Sequence, residues 1–295
     1  MNGRGGAKTA AGAHLDRGMR LTGEDFKRLA GFIYGACGIR MPVSKKSMLE
    51  SRLQKRLRIL GMGSFAQYCA YLFSPEGQEN ESVRMIDLVT TNKTDFFREP
   101  DHFAHLAETV LPEWVRRYPD RESQIFKVWS AGCSTGEEPY TLAMVLQNFA
   151  DHCPGFDFRI MATDISTRVL ETGRLGIYRE ERTDAIPLEF RKKYLLRSRE
   201  RSEGLVRIVP WLRNKVRFQW LNFMEDDYGF REKFDAIFCR NVIIYFDRPT
   251  QETLLSRLCG HLSAGGHLFL GHSETLSGYN LPLKTVYPTV YRNLR

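Results

Sequence analysis

Apolar positions recur at helical spacing through the first third of the chain and gather into short buried runs through the rest. Phe26, Leu29 and Ile33 follow Thr22 and Asp25, whose three-residue separation resembles a capping box. Gly38 ends the helix they predict, and Pro42 lies in the connection. Ser44 is placed to cap a second helix over about 45–60, stopping at Gly61, and Ser64 a third, through Phe73. Residues 80–90 continue the helical pattern. No stretch of 21–90 alternates like a strand, so this part predicts a small all-helical unit.

From residue 124 the period changes. IFKVWSAG predicts a buried strand ending in a glycine turn, followed by a helix from Glu137 to about Phe149. FRIMATD predicts a second strand and Thr167 to about Gly173 a second helix. FDAIFCRN, TQETLLSRLCGHL, HLFLGHSE and TVYPTVYRNL then read as strand, helix, strand and antiparallel edge strands. Strands alternating with helices imply an α/β, doubly wound, mainly parallel sheet covered on both faces. One stretch breaks the alternation: about 190–218 sets a charged turn between β-branched runs and predicts a small antiparallel insertion. The domain plan expected is a disordered tail at 1–20, a helical N-terminal domain at 21–90, a linker and connecting helix at 91–120, and an α/β domain at 121–295.

Composition narrows the class. A length of 295 residues suits two domains of roughly 150 residues. Mean hydropathy is −0.37, and no run approaches the ~18 apolar residues of a membrane span. The start, MNGRGGAKTAAGAH, has no apolar core of a secretory signal. Cys37, Cys69, Cys133, Cys153, Cys239 and Cys259 form no CxxC pair, which fits reduced thiols and a cytoplasmic protein. A net charge of +8 favours an acidic partner without choosing among nucleic acid, membrane surface and protein.

The turn SAGCSTGEEPY (130–140) lies at the carboxyl end of the first sheet strand, where doubly wound sheets bind ligands. Gly132 and Gly136 let backbone approach a ligand, but the spacing is neither GxGxxG nor a phosphate-binding GK[ST] loop. It resembles the first motif of class I S-adenosylmethionine (SAM) methyltransferases, with Ser134 in place of the middle glycine. Asp164 ends the second strand, suited to accept from two ribose hydroxyls. Glu137 and Glu138 would repel a pyrophosphate and suit a cofactor carrying positive charge. After the third strand stands Asn241-Val242-Ile243-Ile244-Tyr245, not the [ND]-P-P-[YF] of nucleic-acid amino-methyltransferases.

Together TNKTDFFRE, VWSAGCSTGEEPYTLAM, ATDIS, GIYR and FCRNVIIYFD resemble the chemotaxis receptor methyltransferases, the CheR family, from about residue 21 to 293. The resemblance implies a helical domain before a class I domain with a small β insertion, and methyl transfer from SAM to receptor glutamates, leaving S-adenosylhomocysteine. It implies cofactor contacts from Asn92, Thr94 and Arg98 in the linker, from Gly132, Glu138 and Asp164, from Asn222 and Phe223 beside the adenine, and from Cys239 and Arg240 at a strand end. Arg98 and Tyr245 would stand nearest the methyl. In some members the insertion docks a receptor's C-terminal peptide; here a charged turn, Ser198 to Glu203, precedes Gly204 and speaks against that use.

Along helix 45–60, Arg52, Lys55 and Arg56 with Lys45 flank the stripe Leu49, Leu53, Leu57, Leu60, and the resemblance makes them candidates for recognising glutamate-rich helices. His102 and His105 lie one turn apart without an evident third ligand, so no metal is expected. GHSET (271–275) lacks the last glycine of a nucleophile elbow, leaving Ser273 structural. Chemoreceptor cytoplasmic domains are the expected partners of a monomer that neither binds nucleic acid nor enters a membrane. A nucleic-acid methyltransferase and a non-catalytic SAM-binding signalling module are the alternatives.

Overall fold

The computed structural model describes residues 20–119, 124–200 and 203–295. The expected tail, apart from Arg20, lies outside them, as do positions 201 and 202 of the charged turn. The chain divides into two compact units, one up to Thr90 and one from Thr91 onward.

The first unit is built of helices Gly23–Cys37, Lys46–Ile59, Phe65–Leu72, Pro75–Asn80 and Ser82–Val89. Thr22 caps the first, accepting from the Asp25 N–H at 3.0 Å while its hydroxyl donates to Asp25 Oδ2 at 2.7 Å. Gly38 closes it in the left-handed region, at φ 72°. Ser44 does not cap the second helix. It sits inside a 3-10 turn, Val43–Lys45, and the helix starts at Lys46 without a side-chain cap. The short helix PEGQEN has no apolar period to announce it; Ser74 caps it and Pro75 opens it. Leu29, Ile33, Leu49, Leu53, Leu57, Tyr68 and Leu72 form the interior.

The second unit carries a seven-stranded sheet and a three-stranded one. The strands are β1 (Phe126–Ala131), β2 (Phe158–Asp164), β3 (Ile177–Arg179), β4 (Leu195–Arg197), β5 (Leu205–Ile208), β6 (Val216–Trp220), β7 (Phe234–Cys239), β8 (Leu262–Leu270), β9 (Leu283–Tyr287) and β10 (Val290–Asn293). The large sheet runs β6-β2-β1-β7-β8-β10-β9, parallel up to β8 and antiparallel at β10 and β9. Its central strands β1 and β7 are buried nearly throughout, which is why they read as unbroken apolar runs. This is the class I methyltransferase fold.

The insertion differs from the expected 190–218. Its sheet is β3-β5-β4, so it begins at Ile177 and ends at Ile208, while Val216–Trp220 joins the large sheet beside β2. VRFQW is an edge strand with polar residues interleaved, so it lacks the apolar run that marks the interior strands. Among the described residues no helix is long and apolar enough to cross a membrane.

Candidate active site

The carboxyl ends of β1, β2, β6 and β7 lie side by side and bring together most residues singled out in the sequence. The turn after β1 needs both glycines. Gly132 has φ +85°, and a Cβ there would come within 2.5 Å of Val242 Cγ2. Gly136 has φ +99°, and its Cβ would crowd the Tyr178 hydroxyl and the Gly173 backbone. Ser134 takes the left-handed region too, at φ 49°, although it has a side chain. Its N–H donates to Asp164 Oδ2 at 2.8 Å, and its hydroxyl donates to the Asn92 carbonyl at 2.9 Å. The serine that replaces a glycine thereby ties the linker to the turn.

Asp164 closes β2, is nearly buried, and also accepts from the Ser166 N–H at 2.9 Å. The Leu221 N–H donates to the Asp164 carbonyl at 3.0 Å, which brings Asn222 and Phe223 directly alongside. Phe223 is half-buried, its ring 6.4 Å from Trp129 and 6.2 Å from Tyr228. Cys239 is wholly buried at the end of β7, where burial pushes its thiol well above the ordinary range.

Arg240 is the hub of the site. Its side chain is 2% exposed and pairs with Glu99 at 2.9 Å and Glu138 at 3.2 Å, while it also donates to the Arg98 carbonyl. Ser130 donates to the other oxygen of Glu138 at 2.7 Å. Burial raises the Glu138 carboxyl, and Arg240 pulls against that shift. Burial opposes ionisation of Glu99 as well, but hydrogen bonds from Arg240 and the His272 N–H outweigh it and leave the carboxyl lowered. Glu137 acts elsewhere, fixing the loop together with Thr135 and Arg182, and Arg182 also donates to the Thr94 carbonyl at 2.7 Å. Arg98 curls back to the Lys93 carbonyl at 3.1 Å. Tyr245 ends the 3-10 turn Ile243–Tyr245 beyond β7.

Glu99, Asn241 and Glu274 are site residues that the sequence reading missed. Glu99 Oε1 faces Asn241 Nδ2 at 3.4 Å and the His272 N–H at 3.3 Å. Phe97, Glu99 and Asn241 all have φ between 50° and 60°. Asn241 lies inside the quoted run FCRNVIIYFD, so a signal for it was present; Glu99 and Glu274 act through contacts that no spacing reveals. His102 also finds partners distant in sequence. Ligand atoms of Glu99, His102 and His272 lie within 4.8 Å of one another. Arg240 already holds the Glu99 carboxylate, so a guanidinium meets its charge where a metal ion would otherwise do so. His105 stacks on Tyr287 instead.

Two arginines of the basic flank find partners within the first unit. Arg56 binds the fully buried Glu81 through two guanidinium nitrogens, Nε and Nη2, at 2.5–3.1 Å, and the Tyr68 hydroxyl donates to the same carboxylate at 3.0 Å. Arg52 donates to the Val89 and Thr90 carbonyls, at 2.5 and 2.9 Å. Both arginines hold the helices of their own unit together; Lys55 alone of the three is exposed.

The acidic groups suit a cation-bearing cofactor with a ribose. A carboxylate oxygen accepts more than one hydrogen bond, so a diol can join the backbone donors at Asp164. A sheet of this order with an acidic residue ending β2 defines a SAM-dependent methyltransferase of class I. Residues 92–291 match a family model described as CheR methyltransferase, SAM binding domain, and residues 24–90 one described as CheR methyltransferase, all-alpha domain. The chain belongs to the CheR methyltransferase family, and its cofactor is S-adenosylmethionine. It is 40% identical to the chemotaxis protein methyltransferase of Escherichia coli over 91% of this chain and 92% of that protein. It is 39% identical to chemotaxis protein methyltransferase 2 of Pseudomonas aeruginosa, over 92% and 93%. With the Borreliella burgdorferi chemotaxis protein methyltransferase it shares 37% identity over 93% and 95%.

Proposed function

We propose that this protein methylates glutamate side chains of chemoreceptor cytoplasmic domains, in the cytoplasm, giving glutamate methyl esters and S-adenosylhomocysteine. The cofactor supplies a sulfonium methyl, an electrophile that an ionised carboxylate attacks directly. A C–O bond forms as the C–S bond breaks, and no proton moves. The reading is supported by the 37–40% identity to chemotaxis protein methyltransferases over more than nine-tenths of the chain; Arg98 and Tyr245, the two groups proposed nearest the methyl, are hydrogen-bond donors suited to orienting a carboxylate. In this reading Asp164 binds the ribose, Asn222 and Phe223 flank the adenine, and Glu138 takes the ammonium, with Arg240 holding Glu138 in place. Asn92, Thr94, Gly132 and Cys239 shape the walls.

The test is incubation of the protein with radiolabelled SAM and purified receptor cytoplasmic fragments. Base-labile label on receptor glutamates is expected. Label that survives mild base, or that appears on nucleic acid instead, would overturn the proposal.

A further inference from the structure

The GHSET segment contributes its glutamate rather than its serine. Glu274 is 4% exposed, and among the described residues no ion pair within 4.0 Å holds it. Its carboxylate is met by peptide N–H groups. Oε1 accepts from Val242 and Ile243, both at 2.9 Å; Oε2 accepts from Asn241 at 2.8 Å and Gly271 at 2.7 Å. Three of those donors are consecutive and belong to the loop after β7. Gly271 permits the approach, since a Cβ there would lie 2.4 Å from Asn241 Nδ2. The gathered loop keeps Asn241 at φ 58°, lays Val242 against Gly132 and leads into the turn ending at Tyr245. Burial pushes the Glu274 carboxyl up, and the backbone donors pull it down.

We infer that Glu274 is a positioning residue for methyl transfer: by collecting the N–H groups of residues 241–243 it presets the loop that carries Asn241 and Tyr245. The inference rests on the proposed methyl-transfer reading. An anion in a concavity of backbone N–H groups normally belongs to a ligand; here the chain provides its own. The anion matters more than the volume. Glutamine has the same shape but turns an NH2 group toward two N–H donors.

The test compares E274Q with wild type and with S273A and T275A, which alter the neighbours without touching the carboxylate. In E274Q, kcat for methylation of a purified receptor fragment should fall about 10- to 100-fold, the effect of stranding two buried donors. The KM for SAM and the affinity for S-adenosylhomocysteine should change little, because Asp164 ends β2 and Asn222 lies just beyond β6, away from the loop after β7. Amide hydrogen exchange should accelerate at 241–243 and stay slow in β1. S273A and T275A should match wild type. G271A, which displaces Asn241 while leaving Glu274 in place, should reproduce the kcat loss.

Wild-type kcat in E274Q would overturn the inference. So would loss of a cooperative melt in both E274Q and G271A, since Glu274 would then brace the whole domain rather than this loop. Wild-type protein that binds S-adenosylhomocysteine but methylates no receptor would count against the proposed function. Amide exchange, which needs no acceptor, would then decide for or against the role of Glu274 alone.

Discussion

Asp164 shows how many contacts converge on one side chain. It receives the N–H groups of Ser134 and Ser166, so it shapes the turn, and it is the proposed partner of the ribose. Asp164→Asn keeps the volume and removes the charge. Affinity for S-adenosylhomocysteine should fall by roughly 1.5–3 kcal/mol, the range for hydrogen bonds to a charged group, or about 10- to 150-fold. Isothermal calorimetry measures this, and unchanged affinity would remove Asp164 from the cofactor site. Arg56 calls for the opposite expectation. Arg56→Ala strands the Glu81 carboxylate, which is wholly buried, and breaking such a pair typically costs about 3–5 kcal/mol. The variant should melt earlier, whereas Lys55→Ala should stay within about 0.5 kcal/mol of wild type. If the exposed face of this helix meets acidic receptor helices, only the lysine variant will lose receptor methylation at an unchanged melting temperature. A stable Arg56→Ala would refute the structural role given to that arginine.

Elements with a strong period or a continuous apolar run were legible in the sequence: the helix capped by Thr22, strands β1, β2 and β7, and the helix after the glycine turn. Those governed by partners were not. β6 is half polar because it edges the sheet, and β3 has only three residues, so neither could be assigned to its sheet from pattern alone. Asp164 and Glu138 could be named because motif spacing exposes them, whereas Glu99 and Glu274 reach backbone 31 to 173 positions away. The partners of the second helix's arginines were not legible, because a basic flank and a buried ion pair look identical in one dimension. Among the described residues, strand β4 is an edge of the insertion sheet, paired with β5 alone. The turn beyond it is closed by Ser198 donating to Glu203 at 2.6 Å. Charged residues beside an edge discourage strand addition. Peptides copied from receptor C-termini should therefore bind weakly, and receptors truncated there should be methylated as well as intact ones. Tight, saturable peptide binding together with poor methylation of truncated receptors would show that the edge is open.

For the molecule as a whole, acid is the expected weakness. Burial pushes the imidazoles of His102 and His267 down to about 4, helped by Arg240 and Arg292 respectively. In the unfolded chain each titrates near 6.5. Between those values the unfolded chain binds protons that the folded chain refuses, so stability falls as pH drops through 6.5 toward 4. By pH 5 the loss should be roughly 1–2 kcal/mol for each histidine. Urea midpoints at pH 7 and pH 5 measure it, and His267→Gln should flatten the difference; an equal slope in the variant would show that His267 is already charged in the fold. The left-handed residues point to a different vulnerability. Among the described residues, five that are not glycine have positive φ, and Phe97, Glu99, Ser134 and Asn241 all border the site. Each holds a conformation that costs on the order of 1 kcal/mol or more with a side chain present. Glycine at any of them would relax the backbone while deleting a ring, a carboxylate, a hydroxyl or an amide. At Glu99 that relief would be outweighed, because the buried Arg240 guanidinium would lose its carboxylate; the contacts that build the site are also what hold its backbone in a shape the chain would otherwise leave.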